Sequence, residues 1–137
     1  MNRDGAPDFV VTNTYDDDIS IFRNDGFGGF ASRTDHPAGY GPLGIAVGDL
    51  NADGMLDIVV GNGNSNTLST FLGNGDGTLR LRRNFSTNYY PGLITIADMN
   101  GDGIPDLAIG APGRRGGGRD GGSVRGVRGD ELRARRE

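Results

Sequence analysis

The chain has 137 residues, 34% of them hydrophobic, enough for one modest core, and it has no cysteine, which excludes disulfides and thiolate metal sites. Twenty-six glycines, few aromatics and no lysine argue against helices and for short strands joined by turns. Residues 1–113 carry 6 arginines against 14 aspartates, a net charge of −8 that suits cations and argues against a nucleic-acid groove, whereas residues 114–137 carry a net +4.

In chain order, MNRDGAPDFVVTN opens with Asn2, Asp4, Ala6 and Asp8, an acidic loop running into an apolar strand. NDGFGGF, residues 24–30, has the glycines of a tight connection. His36 reads as a surface or turn histidine, and Tyr40 as a packing residue. Ile45 and Val47 alternate with small residues as a half-buried strand does, up to Asp49. GDLNADGMLDIVVGN then places Asp49, Asn51, Asp53 and Asp57 within nine positions and continues as an apolar strand over Asp57 to Val60. A third strand is predicted from about Thr67 to Leu72, followed by the turn GNGDGT and a fourth strand beginning near Leu79. Tyr89 and Tyr90 precede Pro91, Ile94 and Ile96 alternate, and ADMNGDGIPDLAIGA brings a second full acidic loop with Asp98, Asn100, Asp102 and Asp106. No run is long enough to span a membrane, and the N-terminus lacks the apolar core of a signal peptide.

These elements repeat with a period of 49. Asn2, Asn51 and Asn100 share one position, as do Asp4, Asp53 and Asp102; Gly5, Gly54 and Gly103; and Asp8, Asp57 and Asp106. Asp49 pairs with Asp98, and the register runs on through Ser20 and Ser69, Phe22 and Phe71, and Ile45 and Ile94. Four strands in about 49 residues is the size of a propeller blade. The chain is therefore expected to be all-β, with four-stranded antiparallel blades over residues 1–113 and motif loops at 1–8, 49–57 and 98–106. Two full repeats and fragments cannot close a propeller, so an incomplete propeller fragment with unpaired, association-prone edges is expected. Residues 114–137 read as a disordered Arg/Gly-rich tail, or as a glycine-rich insertion followed by a weak strand at Ser123 to Val127.

The pattern D-x-N-x-D-G-x-x-D suits a hard cation that takes six to eight oxygen ligands. The second loop would offer Asp49, Asn51, Asp53, the Met55 carbonyl and Asp57; the third, Asp98, Asn100, Asp102, the Ile104 carbonyl and Asp106. The first retains Asn2, Asp4, Ala6 and Asp8 without an opening ligand, and is expected to be weak or empty. Calcium is favoured over magnesium, which demands octahedral geometry and retains water. An EF-hand is excluded, because its twelfth position needs a glutamate and these loops have Val60 and Ile109 there, flanked by strands.

The two full loops, with Gly110-Ala111-Pro112 after the second and the turns NDGFGGF and NGDGTL, resemble the FG-GAP and VCBS-type repeats of integrin-α-like calcium-binding β-propellers. The resemblance implies bound calcium, an extracellular or cell-surface location, a protein or glycan ligand, and further blades in a full-length parent. Catalysis is not expected, since His36 has no apparent partner and the repeated carboxylates all belong to the loops. A structural or carbohydrate-binding part of a larger lectin or polysaccharide-degrading enzyme, with Tyr89 or Tyr90 stacking on sugar, is the alternative. A second alternative is RNA or anionic-surface binding through the tail.

Overall fold

A computed structural model describes residues 1–30, 32–87, 90–111 and 123–127. Among these residues there are ten strands and no helix, in three antiparallel sheets. The first sheet comprises β1 (Phe9–Asn13), β2 (Asp18–Arg23) and β3 (Ser32–Pro37). The second is a complete four-stranded meander of β4 (Pro42–Gly48), β5 (Asp57–Asn62), β6 (Thr67–Phe71) and β7 (Arg83–Ser86). The third contains β8 (Leu93–Ala97), β9 (Asp106–Ala111) and β10 (Ser123–Val127).

The repeat seen in the sequence is the repeat of the ladders. Phe9 pairs with Phe22 and Asn13 with Asp18, and 49 residues later Ile58 pairs with Phe71 and Asn62 with Thr67. The sheets stack face to face with β4 and β8 side by side, as the first strands of adjacent propeller blades lie. The apolar run of β5 follows directly from this stacking. Its alternate residues Ile58 and Val60 join Ile19 and Ile21 of the first sheet, while Val59 between them joins Leu107 and Ile109 of the third. A strand buried on both faces has no polar side to alternate with. Close approach fixes Gly44 in β4, where a side chain would collide with the backbone carbonyl of Gly92 in the next blade.

Three sequence expectations are refined. The fourth strand of the complete blade is Arg83–Ser86; Leu79 makes only an isolated bridge to Gly73, which closes the turn, and the chain crosses Arg80 to Arg82 before pairing with β6. His36 lies within β3 opposite Ile19, half-buried edge-on to the Phe71 ring, with burial lowering its pKa. It belongs to a blade interface rather than to a turn. In the tail, β10 pairs Ser123 with Ala111, whereas the unbroken period would put Gly116 there, seven residues earlier. The free edge of β9 thus recruits the strand Ser123–Val127 once the glycine-rich insertion has been passed. Tyr89, and the tail positions 114–122 and 128–137 on which the disorder and RNA-binding readings rest, lie outside the described residues. No helix of the described residues is long and apolar enough to cross a membrane.

Candidate metal centre

The second and third acidic loops join the first and second strands of their blades, β4 to β5 and β8 to β9, the first leads into β1, and the backbone of all three follows one template. The residue after the shared asparagine takes a left-handed conformation in all three loops, with φ of 61° at Arg3, 56° at Ala52 and 76° at Gly101. The motif glycine two positions later does so again, at Gly5, Gly54 and Gly103. Two left-handed residues turn the intervening amides inward, onto the side-chain oxygens at alternate positions.

In the second loop the Asp53 N–H donates to both Asp49 Oδ1 (3.1 Å) and Asn51 Oδ1 (3.0 Å). Gly54 N–H donates to Asp49 Oδ2 at 2.7 Å, and Met55 N–H to Asp53 Oδ1 at 2.9 Å. The third loop repeats this set: Asp102 N–H reaches Asp98 Oδ1 (3.2 Å) and Asn100 Oδ1 (2.9 Å), Gly103 N–H reaches Asp98 Oδ2 (2.8 Å), and Ile104 N–H reaches Asp102 Oδ1 (2.8 Å). The first loop keeps only the later half, with Asp4 N–H on Asn2 Oδ1 and Ala6 N–H on Asp4 Oδ1. Donation from Gly103 and its neighbours lowers the Asp98 pKa, and the Met55 amide, aided by Asn51, lowers that of Asp53. Both carboxylates are held ionised and solvent-exposed at the loop surface.

The ninth-position aspartate does something the sequence reading missed. Asp57 is fully buried; its Oδ2 accepts the Leu50 N–H at 2.9 Å and its Oδ1 the Gly73 N–H at 2.9 Å. It ties the start of the acidic loop to the turn after β6. Asp8 makes the equivalent pair with the Met1 amino group and the Asn24 N–H, and Asp106 accepts from Met99 N–H. Burial raises the Asp57 pKa against the help of those two amides, and the charges of Asp53 and Asp49 raise it further.

The donor set tests whether calcium fits. Asp49, Asn51 and Asp53 are brought onto one turn, as are Asp98, Asn100 and Asp102, each with hard oxygen donors only. Asp57 stands at the base of its loop, close enough to feel their charge. Among the described residues no three His, Cys, Asp or Glu side chains cluster closely enough to hold a metal by themselves, so the carboxamide of Asn51 or Asn100 and backbone carbonyls have to take part. A carboxylate with two accepted amides retains lone pairs for a further partner. The chemistry of the set fits calcium.

At the other end of the blades a polar ladder recurs that the sequence reading also missed. Asn62 Nδ2 donates to Thr67 Oγ1 (3.0 Å) and Ser69 Oγ (2.9 Å), and Ser69 donates to Asn84 Oδ1 (3.0 Å). In the first sheet Asn13 bonds Asp18 and Ser20, and Ser20 bonds Asp35, each 49 residues earlier. The shared register of Asn13 and Asn62 was the available signal. Tyr15 and Tyr40 are exposed in the connections at this end, and Tyr90 lies against Gly63. A family model described as FG-GAP-like repeat matches residues 1–60 and again residues 49–109. No curated protein and no solved structure matches the chain.

Proposed function

Because the chain belongs to the FG-GAP-like repeat family, we propose that it is a calcium-binding, non-catalytic β-propeller repeat module that presents an interaction surface for a protein or glycan at the cell surface or outside the cell. The observation that carries the calcium reading is the duplicated convergence of side-chain oxygens: Asp49 with Asn51 on the Asp53 amide, and Asp98 with Asn100 on the Asp102 amide. Calcium would supply positive charge to loops that hold three carboxylates within nine residues. The left-handed backbone positions the oxygens, and Asp57 and Asp106 anchor each loop to its blade. A cation that binds only the folded loops stabilises the fold by mass action.

The test is calorimetric titration of calcium into the full chain and into a variant carrying Asp53→Ala and Asp102→Ala. Two saturable sites, absent from the variant while its strand signal by circular dichroism persists, are expected. Absence of any binding by the folded chain would overturn the calcium reading and leave the loops as metal-free turns. The glycan alternative draws on the exposed Tyr15 and Tyr40 at the end away from the acidic loops. Glycan-array signal that falls in Tyr40→Ala would select it.

A further inference from the structure

The second and third acidic loops carry the same internal hydrogen bonds, but their surroundings differ. At the position after the shared asparagine the first loop has Arg3 and the second has Ala52, both left-handed, with φ of 61° and 56°. From there the Arg3 guanidinium crosses to the second blade, where it donates to the Gly54 carbonyl. Gly54 lies between Asp53 and Met55, two of the positions whose oxygens the second loop offers to a cation. The charge is felt there: the Met55 amide does most to lower the Asp53 pKa, and Arg80 and Arg3 lower it further. The equivalent of Arg3 in the blade before the third loop is Ala52, which has no charge.

We infer that Arg3 is a tethered cation that opposes calcium at the second loop, so that the third loop fills at lower calcium than the second. The inference rests on the calcium reading proposed above. Two effects of Arg3 have opposite signs. Holding the Gly54 carbonyl orders the loop, which favours a ligand, whereas a fixed positive charge beside the site repels a cation. The third loop decides between them: Asp98, Asn100 and Asp102 accept the same backbone amides as Asp49, Asn51 and Asp53, with alanine in the place of the arginine. Order therefore comes from the loop's own left-handed residues and carboxylates, and what Arg3 adds is charge. Arg3 is exposed and lines, with Gly54, a cleft of about 530 Å³ between the first two blades, so solvent screens it as it does any surface charge. For an exposed unit charge acting on a dication, the effect is about three- to tenfold in affinity.

Calorimetric titration of calcium into full chains separates the sites. Asp102→Ala leaves the second loop intact and Asp53→Ala leaves the third, and each is made with Arg3 and with Arg3→Gln, their strands checked by circular dichroism. The chain with only the third loop is expected to bind calcium more tightly than the chain with only the second. Arg3→Gln is expected to tighten the second loop about three- to tenfold and to leave the third unchanged, while Arg3→Lys, which keeps the charge, stays near the parent affinity. The gap between Arg3 and Arg3→Gln should narrow from about 0.1 M to about 1 M potassium chloride, as screening shortens the reach of the charge. Calcium binding at the second loop that Arg3→Gln leaves unchanged or weakens would overturn the role of Arg3 and leave the calcium reading intact. Failure of every chain to bind calcium would overturn both.

Discussion

The strands β1 and β5 are the same strand of two successive repeats, yet one is half-exposed and the other completely buried. Both carry an apolar run, both begin at or just after an aspartate that clamps two nitrogen donors, and both end in an asparagine that heads a polar ladder. What differs is the neighbour: among the described residues β5 has a sheet on each side, and β1 has one on only one side. Local sequence therefore decides which strand forms and in what register, whereas stacking between blades decides how much each apolar side chain contributes.

Truncation should widen this contrast most. Ile58→Ala removes a fully buried side chain between two sheets, and a loss of about 3–4 kcal/mol is expected, within the range for such cavities. Phe9→Ala deletes a larger side chain, but one that is partly exposed and held mainly by two ring contacts, and should cost about 1–2 kcal/mol. Urea denaturation of both variants checks the order. Equal losses would mean that burial between two sheets does not set the difference between β1 and β5.

The clamping aspartates sharpen the contrast at a smaller scale. Asp57→Asn leaves a buried amide facing backbone donors and should cost about 2–3 kcal/mol, since unsatisfied buried groups forfeit their solvation. The pH dependence should differ in sign from that of Asp8. Asp57 has a raised pKa in the fold, so its contribution is fullest below the ordinary carboxylate pKa and is lost as pH rises through the folded value. At Asp8, burial is outweighed by the Met1 amino group and the Asn24 amide, so its pKa is lowered and its contribution is lost as pH falls. In the presence of a chelator, Asp57→Asn should unfold more steeply on acidification than the wild type, and Asp8→Asn less steeply. Thermal melts between pH 3 and pH 7, a window that brackets the ordinary carboxylate range, read the difference.

The smallest effect concerns the loop template. Ala52 adopts the left-handed conformation that Gly101 adopts without a side chain. Ala52→Gly should therefore be neutral to stabilising by about 0.5 kcal/mol, the relief of left-handed strain slightly exceeding the added chain entropy. A loss of stability would mean that the Ala52 methyl group makes a contribution beyond its backbone angle.

Much of this architecture was legible because the repeat is gapless: Asp53 and Asp102, or Val60 and Ile109, could be placed on equivalent loops and strands from spacing alone. The acidic loops were recognisable because their aspartates and asparagines recur at one spacing and their left-handed turn position is kept as glycine at Gly5, Gly54 and Gly103. Two features escaped for physical reasons. The clamping of two amides by Asp57 escaped because sequence does not reveal which carboxylates point inward at the start of a strand. The Arg83 start of β7 was hidden by Leu79, whose apolar side chain closes a turn instead of opening a ladder. The strand Ser123–Val127 was legible as the alternative to a wholly disordered tail, and its pairing with β9 accords with the glycine-rich-insertion reading.

The ladder of Asn62, Ser69 and Asn84 also bears on how a blade is assembled. A slip of one residue between β5 and β6 would carry every side chain to the opposite face. The Asn62 carboxamide would then enter the apolar layer shared by Val59 and Leu68, stripped of the hydroxyls that now hold it. Correct alignment is rewarded three strands deep, while a misaligned hairpin is penalised before the last strand can add. In a protein of repeats, where the wrong partner resembles the right one in pattern, such a lock acts as a proofreading step during folding.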